Sequence, residues 1–146
     1  MPGEMQNVIN RLVPLLDPLL ETREGRTRAR FRKEVAIRKM VVVATGGWWE
    51  KANLDTVVQI VKELARVASV EFAGAVLRPH AFLMRDGSGA GQQGELTEDG
   101  TAVVDAAKRA GEELIKQGVM SEETLEMVSR PLISQEDLRL RYNRAL

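Results

Sequence analysis

Two short stretches of this chain put residues able to do chemistry at the ends of apolar runs. The first is Thr45-Gly46-Gly47-Trp48-Trp49, which closes the run KMVVVAT and holds both tryptophans of the chain. Adjacent glycines let a ligand approach the backbone with no Cβ in the way. Indole rings add flat apolar walls. The combination suits a planar ring; it also reads as a tight turn whose indoles pack at a subunit interface. The second is Arg78-Pro79-His80, after VEFAGAVL, with the chain's sole histidine. An imidazole titrates near neutral pH and could donate a proton, and Arg78 could bind an anionic cofactor group. With no Asp or Cys motif paired to it, His80 reads more readily as structural than as catalytic.

Other motifs carry less. Gly89-Ala90-Gly91-Gln92-Gln93-Gly94 matches GxGxxG. A dinucleotide fingerprint needs a strand just before the motif, a helix opening within it and an acidic residue ending a second strand about 20 residues on. Here Glu112 and Glu113 fall inside a helical pattern and no later strand follows, so the segment reads as a loop. Residues 22–39 carry eight Arg or Lys against Glu24 and Glu34. Such a run could contact phosphate, but Phe31 is its one aromatic, so a base-stacking platform is poorly supported. The expectation is a solvated connection or an arm packing on a neighbouring subunit, with no nucleic-acid partner. No nucleophile elbow, zincin helix or P-loop is present.

These residues need elements to position them. Residues 39–45 form an unbroken β-branched run, the pattern of a strand covered on both faces in a parallel sheet. Leu54, Val57, Val58, Val61, Leu64 and Ala65 give a 3.6-period stripe over 53–68, with Asn53 as a plausible N-cap. Residues 70–77 read as a second strand, so 39–84 make one βαβ unit. Both candidate motifs then lie outside the carboxyl ends of the strands, where open α/β sheets bind ligands. Upstream, Met5, Val8, Ile9, Leu12, Leu16 and Leu19 mark a helix over 1–20, which Pro14 should stop or kink near Val13. Residues 21–38 are the basic connection and 85–96 the glycine-rich loop. Residues 97–146 are helical: Thr97 caps a helix ending at Gly118, Ser121 a short one broken by Pro131, and Ser134 a last one with Leu138 and Tyr142 on one side.

Composition sets the bounds. At 146 residues with 44% apolar content, the chain fits one globular domain. Lys plus Arg and Asp plus Glu both number 21, so charge points to no particular partner. The absence of cysteine excludes disulfides and thiolate-held metals or clusters on this chain. No metal site is expected. No run approaches the length of a bilayer span, and the N-terminus has no signal-peptide pattern, so the expected compartment is the cytoplasm, with no membrane partner.

The order of these segments resembles the C-terminal half of flavodoxin-like NAD(P)H-dependent FMN reductases and their relatives, the iron–sulfur flavoproteins. MPGEMQNVINRL is similar to the family segment after the third strand, with Asn7, Ile9, Asn10 and Arg11 fitting a Lys/Asn-x-x-Ile-Asp-Arg ending. KMVVVATGG resembles the fourth strand and its flavin-facing turn, VEFAGAVLRPH the fifth strand, and LTEDGTAVVDAAKRAGEEL the closing helix. The resemblance implies an α/β, three-layer flavodoxin-like half-domain spanning 1–146, and an FMN-binding oxidoreductase using NAD(P)H. Its cofactor contacts would be Pro2, Gly3, Thr45, Gly46, Gly47, Trp48, Trp49, Arg78 and His80. The family's phosphate loop and first three strands have no counterpart here. A two-stranded sheet cannot shield its own edges. The expectation is therefore a homo-oligomer, or a second chain supplying the missing half. The alternative is a non-catalytic assembly protein that kept the half-fold and lost the flavin.

Overall fold

The computed structural model describes residues 3–86 and 94–144. Along the chain run α1 (Gly3–Leu12), β1 (Glu21–Arg23), β2 (Arg26–Arg28), β3 (Lys39–Thr45), α2 (Asp55–Ala68), β4 (Glu71–Arg78), α3 (Glu98–Gln117), α4 (Glu122–Ser129) and α5 (Gln135–Arg144), with short 3-10 turns at Val13–Leu15, Lys51–Leu54 and Ala81–Met84. The chain is mixed α/β with a small parallel sheet, β3 beside β4. The pair is closed at one end by Glu71 N–H donating to the Arg38 carbonyl (3.1 Å) and at the other by Gly46 N–H donating to the Arg78 carbonyl (2.9 Å). Among the described residues no helix is long and apolar enough to cross a membrane. Two compact units emerge, and both strands run through both.

The first unit holds the described residues up to Val41 together with Thr56–Ala73. The α-helix ends at Leu12 because Pro14 lacks an N–H and its ring crowds the preceding turn. The helix expected over 1–20 is thus ten residues of α1 followed by one 3-10 turn. Beyond it, Leu16 makes an antiparallel bridge to Phe31. No residue of α1 is fully buried: Met5, Ile9 and Leu12 are half-buried and Val8 is 54% exposed, so the apolar stripe read from the sequence is only partly covered among the described residues.

Residues 21–38 correct the expectation of a plain connection. β1 and β2 form an antiparallel hairpin, Glu21 opposite Arg28 and Arg23 opposite Arg26. Glu24 (φ 52°) and Gly25 (φ 70°) sit at its tip with positive φ, as a two-residue type I′ turn demands. The charges are spent internally. Arg28, 5% exposed, donates to Glu63 at 3.1 Å. Arg23 donates to the Arg66 and Val67 carbonyls, both at 3.2 Å, satisfying orphan acceptors at the end of α2. Arg28 and Arg66 hold the Glu63 carboxyl below its ordinary range, Arg66 foremost. Ala29, Phe31, Val58, Val61, Ala65 and Ala68 are this unit's buried apolar residues.

The second unit holds Val42–Asp55 and the described residues from Gly74 onward. Asn53 does not cap the helix. It lies inside the 3-10 turn and its amide reaches Glu50 at 3.4 Å. The downstream caps fall where the sequence puts them. The Thr97 hydroxyl accepts from Gly100 N–H at 2.9 Å, and α3 ends at Gly118 in the left-handed region (φ 80°). At Gly100 a Cβ would lie 2.0 Å from the Met84 carbonyl oxygen, so only glycine lets α3 start so close to the preceding turn. Ser121 caps α4 through Thr124 N–H at 3.2 Å. From α3, Glu113 accepts from Ser121 N–H (2.7 Å) and the Thr124 hydroxyl (2.7 Å), welding the α3–α4 corner. Those donors, the Ser121 N–H first, hold the Glu113 carboxyl below its ordinary range. Ser134 caps α5 through Asp137 N–H at 3.1 Å.

Candidate functional site

The turn after β3 and the bend after β4 are built as one object inside the second unit. Ala81 N–H donates to the Gly46 carbonyl (3.0 Å) and His80 N–H to the Trp48 carbonyl (2.9 Å). His80 reaches this position in a left-handed conformation, φ 38° and ψ 46°, uncommon for a residue with a side chain. The geometry is held by Arg78. Its guanidinium donates to the carbonyls of Pro79 (2.7 Å), Val128 (2.8 Å) and Arg130 (2.8 Å), and to His80 Nε2 (2.6 Å). Two of those carbonyls lie at the end of α4, so a buried arginine serves as that helix's C-terminal cap.

This lock perturbs both groups. Arg78 is 4% exposed, and burial foremost, then the charge of Arg130, lowers its pKa to about 10. His80 is fully buried, and its Nε2 also accepts Leu132 N–H at 3.2 Å. A nitrogen accepting from two donors carries no proton, so the neutral ring must hold its proton on Nδ1. Burial first, then the Arg78 charge, pushes His80 down to about 4, against a smaller opposing effect from the Trp49 backbone. Nδ1 has no hydrogen bond of full geometry. At neutral pH the imidazole is therefore uncharged and its accepting nitrogen is engaged inside the fold.

The turn itself faces outward. Thr45, Gly47 and Trp48 are exposed. A Cβ on Gly46 would only touch Leu54, at 3.4 Å, and one on Gly47 would meet nothing within 4 Å, so the backbone there is open to a close approach. Trp48 is 65% exposed. Trp49 is half-buried, anchored by its indole N–H to the Ile133 carbonyl at 3.0 Å. Together with Glu50, Leu138, Arg139 and Tyr142, the two indoles line a cleft of about 550 Å³. Its charged lining is net negative by one: Arg139 lies 3.7 Å from Glu136, while Glu50 accepts from the neutral Gln135 amide at 2.6 Å.

Of the residues singled out in the sequence, Trp48 and Trp49 line this cleft, Gly46 and Gly47 form the turn that leads into it, Thr45 lines a separate apolar groove beside Arg78, and Arg78 and His80 hold the turn from within the fold. Gly3 opens α1 in the other unit, exposed, and Pro2 lies outside the described residues. Most of the glycine-rich loop, 87–93, also lies outside them. The wall contributed by α5 is the part that sequence reasoning missed. The pairing of Leu138 and Tyr142 on one helical side was its signal, but nothing local says what that side faces. Against known proteins, the chain matches no family model, no curated protein and no solved structure.

Proposed function

We propose that this chain is an FMN-binding, NAD(P)H-dependent oxidoreductase-like protein with a partial flavodoxin-like fold, and that the ring end of the flavin lies at the Gly46–Trp49 turn. One observation carries the reading: an open glycine turn at the carboxyl end of a parallel strand, walled by two indoles over a cleft of about 550 Å³. Gly47 gives the backbone approach, Trp48 a stacking face, and Arg78 with His80 the rigidity. Glu50 and Glu136 outweigh Arg139 by one negative charge, which suits an uncharged ring and opposes a phosphate. When bound, the flavin would itself supply the hydride and electron chemistry. The phosphate end would be held by a second copy or a second chain. A purified protein that is yellow, or whose tryptophan fluorescence falls on adding FMN, supports this; a colourless protein with no quenching sinks it.

A second reading, a non-catalytic assembly protein, is favoured by a different feature. Val43, in the middle of β3, is 74% exposed beside an apolar groove of about 400 Å³ lined by Val76, Met84, Val103, Val104 and Ala107. An uncovered β-branched strand asks for a partner. Light scattering tests that need: a compact monomer would remove it.

A further inference from the structure

We infer that Tyr142, carried on α5, is a built-in occupant of the flat-ligand cleft, and that α5 must yield for a planar ring to stack on the face of Trp48 that the phenol covers. The ring centroids of Trp48 and Tyr142 are 5.8 Å apart, tilted by 42°. That is the separation of two aromatic rings in direct contact, with no room for a third between them. The Tyr142 hydroxyl donates to the Gly47 carbonyl at 3.2 Å, so the phenol engages the polar side of the same glycine whose Cα side is open. Phe82 backs the phenol edge-on, at 5.9 Å and 63°. The contacts therefore imitate a bound ring in part: a tilted ring against an indole, and one polar atom on the glycine turn.

The helix that carries this phenol is lightly attached. Leu138 is the one buried residue of α5, and Leu140 and Tyr142 are each about two-fifths exposed (41% and 43%). Burying so little apolar surface makes α5 the natural place for local opening. Gln135 to Glu50 tethers its first turn, whereas the Tyr142 end is held by two ring contacts and one hydrogen bond to Gly47.

The flavin identity of the ligand rests on the reading above; the gating of the Trp48 face does not. The test therefore has two readouts on wild type, Tyr142→Phe and Tyr142→Ala. The first is acrylamide quenching of Trp48, isolated by subtracting the signal of a Trp48→Phe protein. Tyr142→Ala should raise the quenching constant about twofold, the order expected when one weak ring contact is lost, with Tyr142→Phe between it and wild type. The second is lumiflavin affinity, which should tighten about two- to fivefold in Tyr142→Ala, because a competitor has been removed. Unchanged quenching, or weaker lumiflavin binding in Tyr142→Ala, overturns the inference. If no variant binds lumiflavin while quenching still rises, the gate stands and the flavin reading falls.

Discussion

Lowering the pH from 7 to 5 should weaken this protein through one side chain. In the folded state His80 has a pKa of about 4, because burial and the adjacent Arg78 disfavour the imidazolium. In the unfolded chain it returns to about 6.5. The unfolded state therefore binds the extra proton first. Stability contributed by the neutral ring is complete above pH 6.5 and drains away as pH falls towards 4. Integrating the linkage between pH 7 and pH 5 gives a loss of about 2 kcal/mol. For a chain of this length that is a drop in Tm of about 4–8 °C. The perturbed carboxylates, Glu63 and Glu113, are both held below their ordinary range and so contribute their losses at lower pH. The upper window belongs to His80. Thermal unfolding of wild type and His80→Gln should be followed from pH 7.5 to pH 5. The glutamine keeps an acceptor near the Nε2 position but cannot titrate; it will cost stability at every pH, and the slope is what matters. A wild-type Tm that is flat over this window, or a slope that survives in His80→Gln, would refute the buried, neutral imidazole.

Three further substitutions probe the scaffold. Arg78→Met strands the Val128 and Arg130 carbonyls and should cost about 3–5 kcal/mol, seen as a fall of about 2 M in the urea midpoint; Arg78→Lys, keeping a charge but not the fork, should lose less. Gly74→Ala should destabilise by about 1–3 kcal/mol, since its φ of 130° is a region almost reserved for glycine. The added Cβ would also meet Met120 Cε at 2.6 Å, yet Met120→Ala should rescue only part of the loss, because the backbone strain remains. Ser121→Ala should cost about 1 kcal/mol through the lost α4 cap, read by urea denaturation, and no change would mean that the hydroxyl bonds to Thr124 and Glu113 contribute nothing.

Local signals were legible where the chemistry is local. KMVVVAT reads as a strand because β-branched residues have few other uses, and it is β3 residue for residue. Thr97, Gly118 and Ser121 act within three or four positions of themselves, so their roles could be read from spacing. The hairpin at 21–28 was not legible. Its strands are three residues each and made of Glu, Thr and Arg, whose partners, Glu63 and the carbonyls of Arg66 and Val67, lie some 35 to 44 positions away. The same limit applied to the site. Sequence order put Arg78 and His80 at the ligand edge, but only the placement of 128–132 shows their polar atoms turned inward. Tyr142 reaches the glycine turn across 95 positions, beyond the reach of any periodicity.

The most direct test of the proposed site is flavin binding to the purified protein and to Trp48→Ala, followed by visible difference spectra with FMN and with riboflavin. Saturable binding of both ligands, weakened about tenfold or more by loss of the indole face, is the expected result, and the two ligands should differ little because the proposed contacts are all to the ring. No spectral change with either ligand, or binding that Trp48→Ala leaves untouched, would contradict a flavin ring at the Gly46–Trp49 turn.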